Sequence, residues 1–223
     1  MAYDLGVCEI RVLGSLVEKS TATPEQYPLT INALVQACNQ KSARDPVMAL
    51  AEADVREAVD ALVQRGWVRQ ASQAGARVSR FAHRLGDRPG SALRMEAEPL
   101  AALCVLMLCG PQTPGQIRTR ARRLAAFANT DAVEAALTAL ADHRDGPLAE
   151  RLPRDPGKRE RRWRHLLDGA EPAQQAGEAP AAARARAEAP AGQAEWDALE
   201  ARVAELERVV ERLQGGSGGD ESA

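Results

Sequence analysis

The apolar positions of this chain pass through one order of elements twice, and that repetition limits the fold more than any other feature. Ile10, Leu13 and Val17 fall at helical spacing in the segment from about Leu5 to Lys19, with Glu9, Arg11, Glu18 and Lys19 off the stripe. Ser20 to Pro28 holds two prolines and reads as a loop. Thr30 offers an N-cap to a second helix that carries Ile31, Leu34, Val35 and Cys38 and stops near Gln40. A third helix is expected from about Asp54 to Arg65, with Val55, Val59, Leu62 and Val63 on one face and Gly66 placed to end it. Trp67 to Ala71 and Arg77 to His83 then read as two strands around a turn containing Gly75. Their alternation is weak, so position and length carry that assignment.

The same order returns further along. Glu98 and Pro99 open a helix and Gly110-Pro111 closes it. Thr113 to Gln116 is a capping-box sequence with proline at the first helical position, and it leads into Ile117, Ala121 and Leu124. Asn129 or Thr130 caps a helix bearing Val133, Leu137 and Leu140. Leu148 to Leu152 and Arg161 to Leu167 are the second pair of strands. Strand pairs this short need helices to pack on. Aromatic residues are only 3% of the 223, so the cores must be built from Ala, Leu and Val. Three helices and a hairpin, twice, predict an α+β, mostly helical chain of two tandem winged-helix domains, residues 1–94 and 95–168.

Beyond them the composition changes. Residues 169–193, rich in Ala, Pro, Glu, Gln and Gly, read as a linker. Trp196, Leu199, Val203, Leu206, Val210 and Leu213 then repeat at alternating steps of three and four, an unbroken a/d seam. It predicts a coiled-coil helix over 194–214 that joins two copies of the chain, with residues 215–223 as a tail. The longest apolar run, Pro99 to Cys109, is too short for a bilayer, which takes about 20 residues. With no signal-peptide pattern and four scattered cysteines, Cys8, Cys38, Cys104 and Cys109, a cytoplasmic protein away from membranes is expected.

Three stretches carry a resemblance. They are Asn39 to Pro46 after a helix, Gly110 to Gly115 leading into Ile117, Arg118 and Arg120, and Arg151 to Gly157 followed by His165, Leu166 and Leu167. In this order they resemble the YceH-like family of bacterial tandem winged-helix proteins over roughly residues 3–168. Gln116 stands where an acidic residue is expected of the family, and Cys109 where a basic one is common; Gln still completes the cap. The resemblance implies the tandem winged-helix architecture and no particular activity.

Charge separates the possible functions. The net charge of -2 hides a basic middle: residues 111–168 carry 12 basic and 8 acidic groups, whereas 169–223 carry 5 basic and 11 acidic. Arg118, Arg120, Arg122 and Arg123 lie off the apolar face of their helix. Arg151, Arg154, Lys158, Arg159, Arg161, Arg162 and Arg164 lie on the following hairpin and turn. Phosphate neutralisation supplies most duplex affinity, so these groups predict a non-enzymatic nucleic-acid-binding protein, of the kind that regulates transcription, contacting DNA through its second domain. Lys41 and Arg44, in the loop before Pro46, are two further cations for a phosphate or a partner carboxylate; the competing reading makes that loop structural. Asp54, Glu57, Asp60, Asp131 and Glu134 on the third helices weigh against base reading, although acids in a first turn also suit the helix dipole. The alternative function is a scaffold that dimerises and docks protein partners through its winged helices. His83, His143 and His165 have no partner at metal-ligand spacing, and no converging acid, base or nucleophile is evident, so neither an enzyme nor a cofactor or metal is expected.

Overall fold

The computed structural model describes residues 3–71 and 78–169. The a/d seam from Trp196 to Leu213, the linker before it and the tail after it lie outside the described residues. The first module comprises α1 (Val7–Ala22), β1 (Leu29–Thr30), α2 (Ile31–Cys38), α3 (Glu52–Gln64), β2 (Val68–Gln70) and β3 (Arg80–His83). The second comprises α4 (Ala97–Cys109), α5 (Pro114–Arg120), α6 (Thr130–Ala141), β4 (Ala149–Arg151) and β5 (Trp163–His165). The chain is therefore α+β and mostly helical.

The helix starts follow local chemistry. The Thr30 hydroxyl accepts from the Ala33 amide at 3.2 Å, and Asn129 Oδ1 accepts from the Ala132 amide at 2.9 Å. Thr113 and Gln116 form the reciprocal box, at 3.3 and 2.9 Å. At the far end of α3, Gly66 takes φ +75°, a left-handed conformation that glycine adopts without steric cost. β1 is an element the sequence pattern did not reveal. It pairs antiparallel with β3, Leu29 opposite Phe81, so the first sheet has the order β1-β3-β2. A two-residue strand is too short to show a period. In the second module β4 and β5 pair with Ala149 opposite His165.

The repetition extends to individual hydrogen bonds. The Trp67 amide donates to the Leu62 carbonyl and the Leu148 amide to the Leu140 carbonyl, each at 2.9 Å. His83 Nδ1 accepts from the Leu85 amide at 3.2 Å, as His165 Nδ1 does from the Leu167 amide at 3.3 Å. α1 and α4 pack against each other and each backs its own third helix. A Cβ at Gly14 would lie 2.9 Å from Leu108 Cδ2, so glycine is what lets these two helices come this close. α4 is apolar all round because it is covered all round, with every residue from Ala101 to Cys109 buried. One core thus runs through both modules, from Leu13, Leu16, Val59 and Leu62 to Leu103, Leu106, Leu137 and Leu140. The amino-terminal segment closes it, with the Leu5 amide donating to the Leu167 carbonyl at 2.8 Å. No helix among the described residues is long and apolar enough to cross a membrane.

Candidate nucleic-acid interface

The start of α6 stands between two adjoining hollows. One, of about 450 Å³, is lined by Pro114, Thr130 and Glu134 and by four hairpin arginines, Arg151, Arg154, Arg159 and Arg161, with Glu160 beside them. The other, of about 330 Å³, is lined by Arg118 and Arg122 and by the loop from Ala125 to Phe127, and it too reaches Thr130. The groove formed around Thr130 therefore holds six arginines against two glutamates. The sequence folds this way because α5 is short and turns at once into a 3-10 segment, Ala121–Arg123, whose Ala121 is buried while Arg122 faces out. Arg118 is held over the loop by donating from Nη2 to the Ala128 carbonyl at 3.0 Å. Across the groove Arg151 pairs with Glu134 at 2.6 Å and lies 5.1 Å from the centre of the Trp163 ring.

Six of the cations singled out by sequence are thus brought together: Arg118, Arg122, Arg151, Arg154, Arg159 and Arg161. The others are placed differently. Arg123 and Lys158 are exposed but do not line the groove. Arg162 pairs with Asp155 at 3.0 Å, across the hairpin turn. Arg120 turns toward the corner between α4 and α5, where Nε donates to Gln112 Oε1 at 3.1 Å and Nη1 lies 3.7 Å from Cys109 Sγ. Gln112 in turn exchanges both backbone hydrogen bonds with Trp163, at 3.0 and 2.8 Å. Arg120 thereby ties α5 to the hairpin as a positioning residue. Thr130 and Glu134 join the groove without having been read from the sequence as contact residues. Arg151 was legible only as one more basic strand residue, because nothing local shows that it faces α6.

Lys41 is exposed in the loop after α2, whereas Arg44 is inside the protein. Its side chain is 0% exposed. Its Nη2 meets Glu18 Oε2 at 2.6 Å, and Nε and Nη2 both donate to the Ala37 carbonyl. No phosphate can reach it, so the sequence expectation that Arg44 contacts DNA is corrected: its charge is consumed by Glu18. Arg11, also buried, donates to the Cys38 and Pro46 carbonyls at 3.1 and 2.6 Å, and burial lowers its pKa. Asn39 clamps the returning chain through both Leu50 backbone groups, at 2.9 and 2.8 Å. Here the structural reading of the Asn39 to Pro46 loop prevails, apart from Lys41.

The acids of the third helices have local tasks as well. Asp54 Oδ2 accepts from the Ala51 amide at 2.8 Å, a cap for α3. The histidines are held by hydrogen bonds: His83 Nε2 lies 2.9 Å from Ser20 Oγ, and His143 Nε2 lies 3.0 Å from the Arg94 carbonyl. Burial, helped by the Arg88 charge, pushes the His83 pKa down to about 4, and burial also lowers that of His165. Burial raises the thiol pKa of Cys8, Cys38, Cys104 and Cys109, which makes them poor nucleophiles.

Comparison with known proteins places the chain. Residues 5–158 match the family described as Protein of unknown function, DUF480. A UPF0502 protein of Hahella chejuensis is 42% identical over 215 residues, covering 96% of this chain and 92% of that protein. One of Aeromonas hydrophila is 44% identical over 214 residues, covering 96% and 98%. One of Geobacter metallireducens reaches 52% over 166 residues, covering 74% and 73%. The matched stretch contains both modules up to the hairpin turn, and on that footing the chain belongs to the DUF480/UPF0502 family of bacterial proteins.

Proposed function

We propose that the protein is a tandem winged-helix, non-enzymatic DNA-binding protein that contacts duplex DNA through the groove of its second module. The observation that carries this reading is the set of six arginines disposed on two sides of the α6 N-terminus. A helix N-terminus carries partial positive charge, and arginines flanking it add full charges where a phosphate backbone would run. In this reading α6 approaches a major groove and the β4–β5 hairpin is the wing. The first module does not repeat the Arg118 and Arg122 pair. At the positions corresponding to Arg118 and Arg122 in the repeated fold it has Val35 and Asn39. Its exposed Glu57 and Asp60 suit a protein contact better than a phosphate, and this favours a docking role for that module alongside DNA binding. We further propose that two chains associate through the 194–214 seam and that the protein acts in the cytoplasm, where a DNA ligand is available.

The direct test is fluorescence anisotropy of the full chain with a labelled mixed-sequence duplex at low salt. Binding is expected, and the combined variant Arg154→Gln, Arg159→Gln, Arg161→Gln should weaken it on every duplex tried. No binding by the unaltered chain at low salt would remove DNA and leave docking as the function.

A further inference from the structure

We infer that the second module's groove takes duplex DNA without reading its base sequence. This rests on the DNA-binding reading above and adds to it the class of duplex bound. Reading bases in a major groove needs side chains that reach base edges with paired donors and acceptors, chiefly Arg, Lys, Asn and Gln. The exposed side chains of α6 are Thr130, Asp131, Ala135, Thr138 and Ala139. None belongs to that set. The polar groups beside them are already engaged. Glu134 holds Arg151 at 2.6 Å, and the Thr138 hydroxyl donates to the Glu134 carbonyl at 2.9 Å. Asn129, just before the helix, spends its Oδ1 on the Ala132 amide. Asp131 can accept from the cytosine amine but repels the phosphates on either side, and the Thr and Ala methyls of this face offer thymine single apolar contacts, short of a paired donor–acceptor readout.

The arginines sit beside this helix and never on it. Arg118 and Arg122 come from α5 and its 3-10 extension, and Arg154, Arg159 and Arg161 from the hairpin. That arrangement suits two phosphate strands bordering a groove, and phosphate contacts carry no sequence information directly. Among the described residues, α3 of the first module adds only the paired Arg56 and Gln64 from that set. On α3 the Arg56 guanidinium pairs with Glu52 at 2.6 Å, Glu57 and Asp60 are exposed carboxylates, and Gln64 is the last residue of the helix. What selectivity remains is that of shape, since hairpin arginines favour the narrow minor groove of A-tracts.

The test uses the full chain with duplexes of one length: an A-tract, a G/C-rich duplex, a mixed duplex and a randomised pool carried through rounds of selection. The Kd values should agree within about ten-fold, with any preference toward the A-tract, and the selected pool should show no consensus. Asp131→Ala should tighten binding to all of them by a similar factor. A consensus bound more than about a hundred-fold tighter than the mixed duplex would overturn the inference while leaving DNA binding intact. Uniform binding untouched by the combined Arg118→Gln, Arg122→Gln variant would overturn it too, because the contact would then lie elsewhere. Failure of every duplex to bind would instead strike the DNA-binding reading on which it rests.

Discussion

Arg44 and Arg118 are the same side chain set to different tasks by their surroundings. Arg44 is fully covered and shares its guanidinium between Glu18 and the Ala37 carbonyl, whereas Arg118 is exposed and lines the groove. Removing one partner of a buried ion pair leaves the other charge uncompensated, so Arg44→Ala should cost about 3 kcal/mol in urea unfolding. Its folded fraction should bind DNA as the unaltered protein does. A stability loss below about 0.5 kcal/mol, the size of a surface substitution, would contradict the buried pair. His83 gives a pH dependence of definite sign. Its folded pKa of about 4 lies below the ordinary 6.5, so between those values the unfolded chain binds the proton and the folded protein does not. This contribution is complete above about pH 6.5 and is lost as pH falls toward about 4, on the order of 3 kcal/mol in all. His165 adds a drop of the same sign. The urea midpoint should therefore fall between pH 7 and pH 4.5, and His83→Gln should flatten that fall. A midpoint whose pH dependence is the same in both proteins would refute the assignment to His83. Nothing in the residue types distinguished Arg44 from Arg118. The partner of Arg44, Glu18, is 26 residues away on α1, and only the folded chain brings them together.

Whole elements were far more legible. The apolar spacing and the caps at Thr30, Thr113 and Asn129 located α2, α5 and α6 within a few residues, because each cap is satisfied inside its own first turn. Gly66 likewise marked the end of α3 through a conformation that depends on its neighbours alone. β1 escaped because two residues cannot display alternation, and the groove escaped because it lies between elements. α6, the turn after α5 and the hairpin meet at Thr130 only after the core has formed. The repeated architecture makes a matched prediction. Val59 and Leu137 occupy corresponding places on α3 and α6, and both are 0% exposed. Leu137→Ala should cost about 2–5 kcal/mol and Val59→Ala somewhat less, in keeping with its smaller side chain. Because one core serves both modules, each variant should unfold in a single transition. Two separate transitions by circular dichroism would contradict a shared core.

At the scale of the whole molecule, α1 packed on α4 fixes the second module's groove to the first module, while the 194–214 seam is what we propose joins two chains. Val203 and Val210 at a with Leu199, Leu206 and Leu213 at d favour two parallel strands. Leu206→Asp should yield monomers in sedimentation equilibrium with folded bodies; an unaltered chain that is already monomeric at high micromolar concentration would contradict the dimer. Two joined chains would bring two basic grooves to one DNA and raise effective concentration without new contacts. The central claim is that those grooves hold duplex DNA by its phosphates, and its most direct measurement is the salt dependence of binding, with the unaltered chain and the combined Arg118→Gln, Arg122→Gln variant compared on one mixed duplex. The account predicts a linear log–log fall of about 0.9 per neutralised phosphate, made shallower by up to about 2 units in the variant. A slope near zero, or the same slope in both proteins, would contradict it.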